Sequence, residues 1–216
     1  MTGGYVDDAF THSFILNTTY DMLIAVDRGL MFFERKNLSP HYIVGDFDSV
    51  SKEVLDKYRN MGGNEVKSFC PEKDETDTEL AILLALNKGC KTLYLLGATG
   101  SRLDHMLGNI QLLGFGLRNK AECYLIDPNN KLRLIDGRTV IKREEQFGDY
   151  ISLIPYTPVV KGITLTGLKY PLNDYTMSGF YLEGAKTISG VSNEMIDDEA
   201  VIELKEGILV LIEAKE

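Results

Sequence analysis

Thr92-Leu93-Tyr94-Leu95-Leu96-Gly97-Ala98-Thr99-Gly100-Ser101-Arg102-Leu103-Asp104-His105 holds an apolar run, a glycine-bearing turn and a helix start in that order. Thr92 to Leu96, ended by Gly97, has the length and composition of a buried strand. The residues from about Asp104 to Leu117 read as a helix. Glu122 to Ile126 is the next strand, closed by the turn Asp127-Pro128-Asn129-Asn130. A helix between two short apolar strands is the βαβ unit of a parallel sheet.

Upstream the same punctuation recurs. Met22 to Val26 and His41 to Val44 are brief apolar runs, and Arg28 to Lys36 between them is helix-like. A helix is expected to begin at Thr76, where Thr76 and Glu79 have capping-box spacing; Leu80, Ile82, Leu83, Leu84 and Leu86 then follow, and Gly89 stands at the far end. Beyond about Gly137 the texture changes to alternating runs such as Tyr150–Ile154, Gly162–Leu168 and Val201–Leu204, broken by Gly, Pro and Asn. Ala200–Leu204 and Ile208–Ile212, around Lys205-Glu206-Gly207, read as an antiparallel hairpin. The expected fold is α/β: a Rossmann-like parallel-sheet domain over residues 1–137, then an antiparallel β-sandwich over 138–216.

With 216 residues and 44% apolar content the chain can bury a true core. Its net charge of -9 repels a phosphate backbone, and no basic cluster interrupts it, so nucleic acid is not an expected partner. Cys70, Cys90 and Cys123 are odd in number and lack CxxC spacing, so they read as reduced thiols. The start has no signal-peptide pattern and no apolar stretch approaches the ~18 residues of a membrane span, so no membrane partner is expected and the protein is expected in the cytoplasm.

Acids gather where these elements end. Asp46 and Asp48 follow a strand at i, i+2 spacing, which in extended chain points both carboxylates to one side and lets them share a cation. An Asp-x-Asp after a strand is equally an ordinary turn. Asp77 falls in the first turn of the capped helix, where the dipole stabilises a carboxylate, and Lys73 stands nearby as a charge partner for phosphate. Gly97 and Gly100 permit close backbone approach, and free amides at the following helix start favour anions. The segment is not a Walker A, since no Gly-Lys-Ser/Thr ending occurs. Arg102 suits phosphate oxygens, and Asp104 could orient a hydroxyl nucleophile or hold a metal through water. Alternatively, Arg102 and Asp104 form a local ion pair. His105 has no second His or Cys at ligand spacing, which favours a structural role.

Gly45-Asp46-Phe47-Asp48-Ser49, Asp74-Glu75-Thr76-Asp77 and Gly100-Ser101-Arg102-Leu103-Asp104-His105, in that order, resemble motifs of the thiamin pyrophosphokinases. Ala25-Val26-Asp27-Arg28-Gly29 is similar to that family's nucleotide-side turn, and Ile188-Ser189-Gly190-Val191-Ser192-Asn193 to its thiamin-side Ser-Asn element. The resemblance spans nearly the whole chain. It implies transfer of pyrophosphate from ATP to the hydroxyl of thiamin, with magnesium on Asp46, Asp48 and Asp77. It also implies nucleotide contacts from Gly3, Gly4, Asp27, Ser49, Lys73, Thr76, Gly97, Gly100 and His105, and a charge from Arg102. Asp104 would align the hydroxyl, and Ser192 and Asn193 would bind thiamin in a homodimer with sites between subunits. Two departures stand out. Only Met1-Thr2 precede Gly3-Gly4 where the family has an apolar strand, so a sheet strand is expected to be missing. The chain has no Trp, so any stacking on thiamin must come from Tyr or Phe.

Two rivals remain open. Asp46-Phe47-Asp48-Ser49-Val50 also fits the DxDxV of haloacid-dehalogenase-like phosphatases, with Asp46 as a covalent nucleophile. The chain could instead bind nucleotide or thiamin without turnover.

Overall fold

The computed structural model describes residues 1–62, 65–68, 75–100, 102–179 and 190–216. Cys70, Lys73, Asp74, Ser101, Ile188 and Ser189 lie outside them. The chain divides into two compact units, Met1–Pro128 and Asn129–Glu216. Gly137, where the sequence changes texture, falls inside the second.

The first unit alternates strand and helix. Helix α1 (Asp8–Asn17) starts where the Asp7 carboxylate accepts a bond from the Phe10 amide at 2.8 Å. Strand β1 (Ile24–Val26) leads through a 3-10 turn, Asp27–Gly29, into α2 (Leu30–Lys36), which Asn37 stops in a left-handed conformation, φ 52°. Then follow β2 (Tyr42–Gly45), α3 (Lys52–Asn60), β3 (Glu65–Ser68), α4 (Asp77–Asn87), β4 (Thr92–Leu96), α5 (Leu103–Arg118) and β5 (Glu122–Ile126). The Thr76 hydroxyl accepts from the Glu79 amide at 3.2 Å, so α4 begins where its cap requires. β1, β2 and β3 pair in parallel, as do β4 and β5. Ala25, Ile43 and Val44 are wholly buried, as expected of strands covered on both faces.

Residues 1 and 2 bear on the strand expected to be missing. The Met1 nitrogen donates to Ile24 O at 2.9 Å, Val26 N donates to Met1 O at 2.8 Å, and Thr2 N donates to Leu96 O at 2.8 Å. The dipeptide therefore joins the free edges of β1 and β4, with two hydrogen bonds to the first and one to the second. Met1 and Thr2 also line a cavity of about 570 Å³, walled by Phe14, Ile15, Ala81, Ala85 and Leu93.

The second unit is an antiparallel β-sandwich. Its strands are β6 (Asn130–Ile135), β7 (Thr139–Lys142), β8 (Tyr150–Pro155), β9 (Val159–Thr166), β10 (Leu172–Ser178), β11 (Glu199–Glu203) and β12 (Leu209–Ala214). β12 pairs between β6 and β8, while the other layer runs β10-β9-β11-β7. Ile151, Leu153 and Leu211 from one layer meet Ile163, Leu165 and Ile202 from the other in a common core. The expected hairpin of the last two runs is not formed. β11 pairs with β9 and β7, β12 with β6 and β8, and the chain between them crosses from one layer to the other. Lys161 fixes that crossing: its amide donates to Glu206 O, and its carbonyl accepts from Lys205 N, both at 2.9 Å. A two-layer core buries both strands more completely than a protruding hairpin would.

Candidate active site

The parallel register of β1 and β2 builds the first part of the site. Val26 is paired with Val44, so Asp27 and Asp46 leave the carboxyl ends of adjacent strands together. The approach is close: a Cβ on Gly45 would stand 3.1 Å from Asp27 Cα. Asp46 and Asp48 do not share a side through extended chain, as their spacing suggests. Phe47 between them takes φ 64°, and the Asp48 amide donates to Asp46 Oδ1 at 3.2 Å, so a tight turn folds the two acids together. The buried Phe47 ring anchors that turn. Asp27 is left-handed too, at φ 46°.

Carboxylate oxygens of Asp27, Asp46 and Asp48 come within 4.8 Å of one another. Ser49 Oγ donates to both Asp27 oxygens, at 3.0 and 3.1 Å. Burial pushes the Asp27 carboxyl above its ordinary value, the Ser49 hydrogen bond and the Arg28 amide pull it down, and the charges of Asp77 and Asp46 push it up again. Asp77, at the first position of α4, is thus part of the same field. Hard oxygens at this spacing suit a magnesium-like ion, which takes one or two carboxylates and leaves positions for water and phosphate. The resemblance implies Asp46, Asp48 and Asp77 as magnesium ligands; among the described residues, the three acids that close on one another are Asp27, Asp46 and Asp48.

The glycine-bearing turn after β4 is held from two directions. Gly4 N donates to Gly97 O at 2.9 Å and Tyr5 N to Thr99 O at 3.1 Å, and the Thr2 hydroxyl donates to Gly97 O as well. A Cβ on Gly4 would lie 2.3 Å from Gly97 O and 2.7 Å from Thr99 O, so only glycine allows this contact. Gly97 itself has φ 70°. Gly3 is less confined, since a Cβ there would stand 3.1 Å from Arg28 Cβ, and a Cβ on Gly100 would stand 3.2 Å from Tyr5 N. From the helix side, Asn109 Nδ2 donates to Ala98 O at 2.8 Å. Sequence reading passed over Thr2 and Asn109. The available signal for Asn109 is its offset of seven residues from Arg102, two helical turns, which returns it to the loop's side of α5.

Arg102, the residue before α5, is paired with Asp104: Nε to Oδ1 is 3.2 Å and the second nitrogen lies 2.5 Å from Oδ2. The local ion pair is therefore the arrangement found. The Arg102 hydrogen bond holds the Asp104 carboxyl down at about 2, and the same bond raises the guanidinium. Both side chains are exposed, as is His105.

In the second unit, Ser192 is exposed in a left-handed conformation, φ 57°, and its amide donates to Ser152 Oγ at 3.0 Å. Asn193 is buried. Its main chain exchanges two bonds with Ile151, and its side chain bonds to Tyr170 and Glu194.

Residues 15–125 match the family described as thiamin pyrophosphokinase, catalytic domain, and residues 138–209 match its vitamin B1 binding domain. Thiamine pyrophosphokinase of Bacillus subtilis (strain 168) is 33% identical over 194 residues, covering 89% of this chain and 87% of that protein. A crystal structure of thiamine pyrophosphokinase from Bacillus subtilis aligns with TM-score 0.84 at 32% identity, over 100% of this chain and 97% of that one. The structure of thiamin pyrophosphokinase from Geobacillus thermodenitrificans aligns with TM-score 0.81 at 30% identity, over 100% and 95%.

Proposed function

The chain belongs to the thiamin pyrophosphokinase family, and from that premise we propose how its own residues divide the work of making thiamin diphosphate from thiamin and ATP. It is an ATP-dependent transferase. The thiamin hydroxyl oxygen forms a bond to the β-phosphorus of ATP, the bond from that phosphorus to the α-phosphate oxygen breaks, and AMP leaves.

Such a transfer needs charge neutralisation and alignment more than covalent help. Asp46 and Asp48, with Asp27 beside them and Asp77 behind, are the residues that would hold magnesium. The ion, when bound, screens the negative oxygens of the polyphosphate. What supports this is the closing of three carboxylates from two separate loops to within 4.8 Å, an arrangement that is electrostatically unfavourable without a cation. Gly3, Gly4, Gly97 and Gly100 let main chain approach the nucleotide closely, with Ser49, Thr76, Lys73 and His105 as further nucleotide contacts. Arg102 supplies positive charge when phosphate draws it from Asp104. With Arg102 drawn away, the Asp104 carboxyl returns toward its ordinary value of 3.8 and is still a poor base at neutral pH, so Asp104 orients the hydroxyl, and the proton departs to solvent as the new bond forms. Ser192 and Asn193 serve the thiamin side. The active form in this reading is a homodimer in the cytoplasm, each site completed by the second subunit.

The test is AMP. Incubation with magnesium-ATP should release AMP only when thiamin is present, with one thiamin diphosphate per AMP. Inorganic phosphate release without thiamin, together with capture of an aspartyl-phosphate mimic on Asp46, would mark a phosphatase instead. Binding of both substrates without AMP would mark a passive module.

A further inference from the structure

We propose that Asn109 is a positioning residue for the nucleotide: it fixes the peptide between Ala98 and Thr99 so that the Thr99 amide is presented to a phosphate oxygen of ATP. The proposal rests on the preceding reading of the turn at Gly97 and Gly100 as a nucleotide contact, and it deepens that reading by naming a donor and the residue that aims it.

Three successive carbonyls of the turn are engaged. Gly97 O accepts from Gly4 N at 2.9 Å and from the Thr2 hydroxyl, Ala98 O accepts from Asn109 Nδ2 at 2.8 Å, and Thr99 O accepts from Tyr5 N at 3.1 Å. Among the described residues there is no cis peptide bond, and in a trans peptide the C=O of one residue and the N–H of the next point in opposite directions. Anchoring the three carbonyls therefore aims the three amides that follow them. The Ala98 and Gly100 amides are turned away from residues 4 and 5, and the Thr99 amide is turned away from Asn109. Among the described residues none of these three amides has an acceptor, although Ala98 is only 3% exposed. Consecutive main-chain N–H groups left unpaired in a turn of this kind are satisfied by an anion.

The three anchors are not equivalent. The peptides on either side of the middle one are held by main chain, from Gly4 and Tyr5, and the first of them has a further donor in Thr2. The middle peptide is held by a side chain. Asn109 stands in the second turn of α5, so its base is a helix of 16 residues and not a loop. The partner is a carbonyl, which obliges the amide nitrogen of Asn109 to face it; an aspartate in the same place would set carboxylate oxygens against it. Asn109 and Thr99 are both half-buried, and a hydrogen bond there is less exposed to competition from water than one on the surface. Without this bond the peptide between Ala98 and Thr99 is free to rotate, and rotation would carry the Thr99 N–H away from the direction it now takes. Asn109 thus acts on the nucleotide through the Thr99 amide, without touching it.

Asn109→Leu keeps the side-chain volume and removes the donor. It should raise the ATP KM about ten-fold, the scale of one lost hydrogen bond, and leave the thiamin KM within about two-fold. A purely structural role would not separate the two KM values. A second measurement needs no variant: in the unaltered protein the Thr99 amide resonance should shift when a non-hydrolysable ATP analogue binds with magnesium. In Asn109→Leu saturated with the same analogue, that shift should be lost. An unchanged ATP KM in Asn109→Leu, an equal rise in both KM values, or a Thr99 resonance indifferent to the analogue would overturn the proposal while the unaltered protein still forms AMP with thiamin. If the unaltered protein forms no AMP with thiamin, the underlying reading falls and this proposal falls with it.

Discussion

The acidic pocket of the first unit and the Ser192 turn of the second are held in place by opposite means. Around Asp27, Asp46 and Asp48 like charges crowd together, two non-glycine residues adopt left-handed backbone, and burial works against ionisation of Asp27. Around Ser192 only one of the described residues is strained, and the buried polar groups of its neighbour are satisfied by hydrogen bonds. Preorganised charge is stored at a cost in stability, whereas a presenting surface is rigid because its polar groups are paired. Activity and stability should therefore separate in the first region and move together at the buried Asn193 of the second.

The largest expected effect breaks the comparison most sharply if it fails. Asp46→Asn keeps an oxygen to accept from the Asp48 amide but removes a charge, so kcat should fall by about 10²-fold or more. The melting temperature should hold or rise, because repulsion is relieved. A parallel loss of both would mean that the acids are structural.

Asn193→Ala should behave the other way. It strands the Tyr170 amide and carbonyl, at a cost of about 1–3 kcal/mol. Denaturant titration should show that loss, and steady-state kinetics should show a raised thiamin KM with the ATP KM nearly unchanged. Ser192→Ala, in contrast, should raise the thiamin KM at constant stability.

A smaller effect concerns pH. The Asp27 carboxyl is raised in the folded state, so between the ordinary carboxyl value of 3.8 and its folded value the folded protein binds more protons than the unfolded chain. Stability of the metal-free protein should fall as pH rises through that window, and the cost should then persist to neutral pH. Asp27→Asn should remove the slope, and magnesium should offset the cost in the unaltered protein. Thermal melts across acid pH, with and without magnesium, sharpen the charge-storage side of the comparison.

The smallest effect is at Arg102. Its pair with Asp104 is exposed, and such pairs contribute little to stability. Arg102→Gln should leave the melting temperature unchanged while returning the Asp104 carboxyl from about 2 toward its ordinary value, as followed by NMR titration. Whatever stability the pair adds is present above the ordinary carboxyl value and is lost as pH falls toward about 2.

Legibility in the sequence followed locality. β4 and β5 occupy the residues their apolar runs mark, and α4 starts at the cap its Thr76 advertises, because strand composition and capping are short-range signals. The order of elements was enough to read α/β followed by a β-sandwich. Helix α1 went unread, although Asp7 caps it. The pairing of β11 and β12 was misread because strand partners are chosen by the two-layer core, and a Gly-containing turn between two apolar runs looks the same whether the chain reverses within a layer or crosses between layers. At the site, the motifs drew attention to the loops after β1 and β2, but which acids meet depends on sheet register. Asp27 joins Asp46 because Val26 pairs with Val44, a contact eighteen residues distant that no local spacing encodes.

Magnesium binding to the unaltered protein and to Asp48→Asn, followed by titration calorimetry with a non-hydrolysable ATP analogue present, tests the central claim most directly. Saturable binding to the first, weakened at least ten-fold in the second with its melting temperature preserved, is the result expected of a cation site built from Asp27, Asp46 and Asp48. Equal magnesium affinity in the two proteins would contradict it.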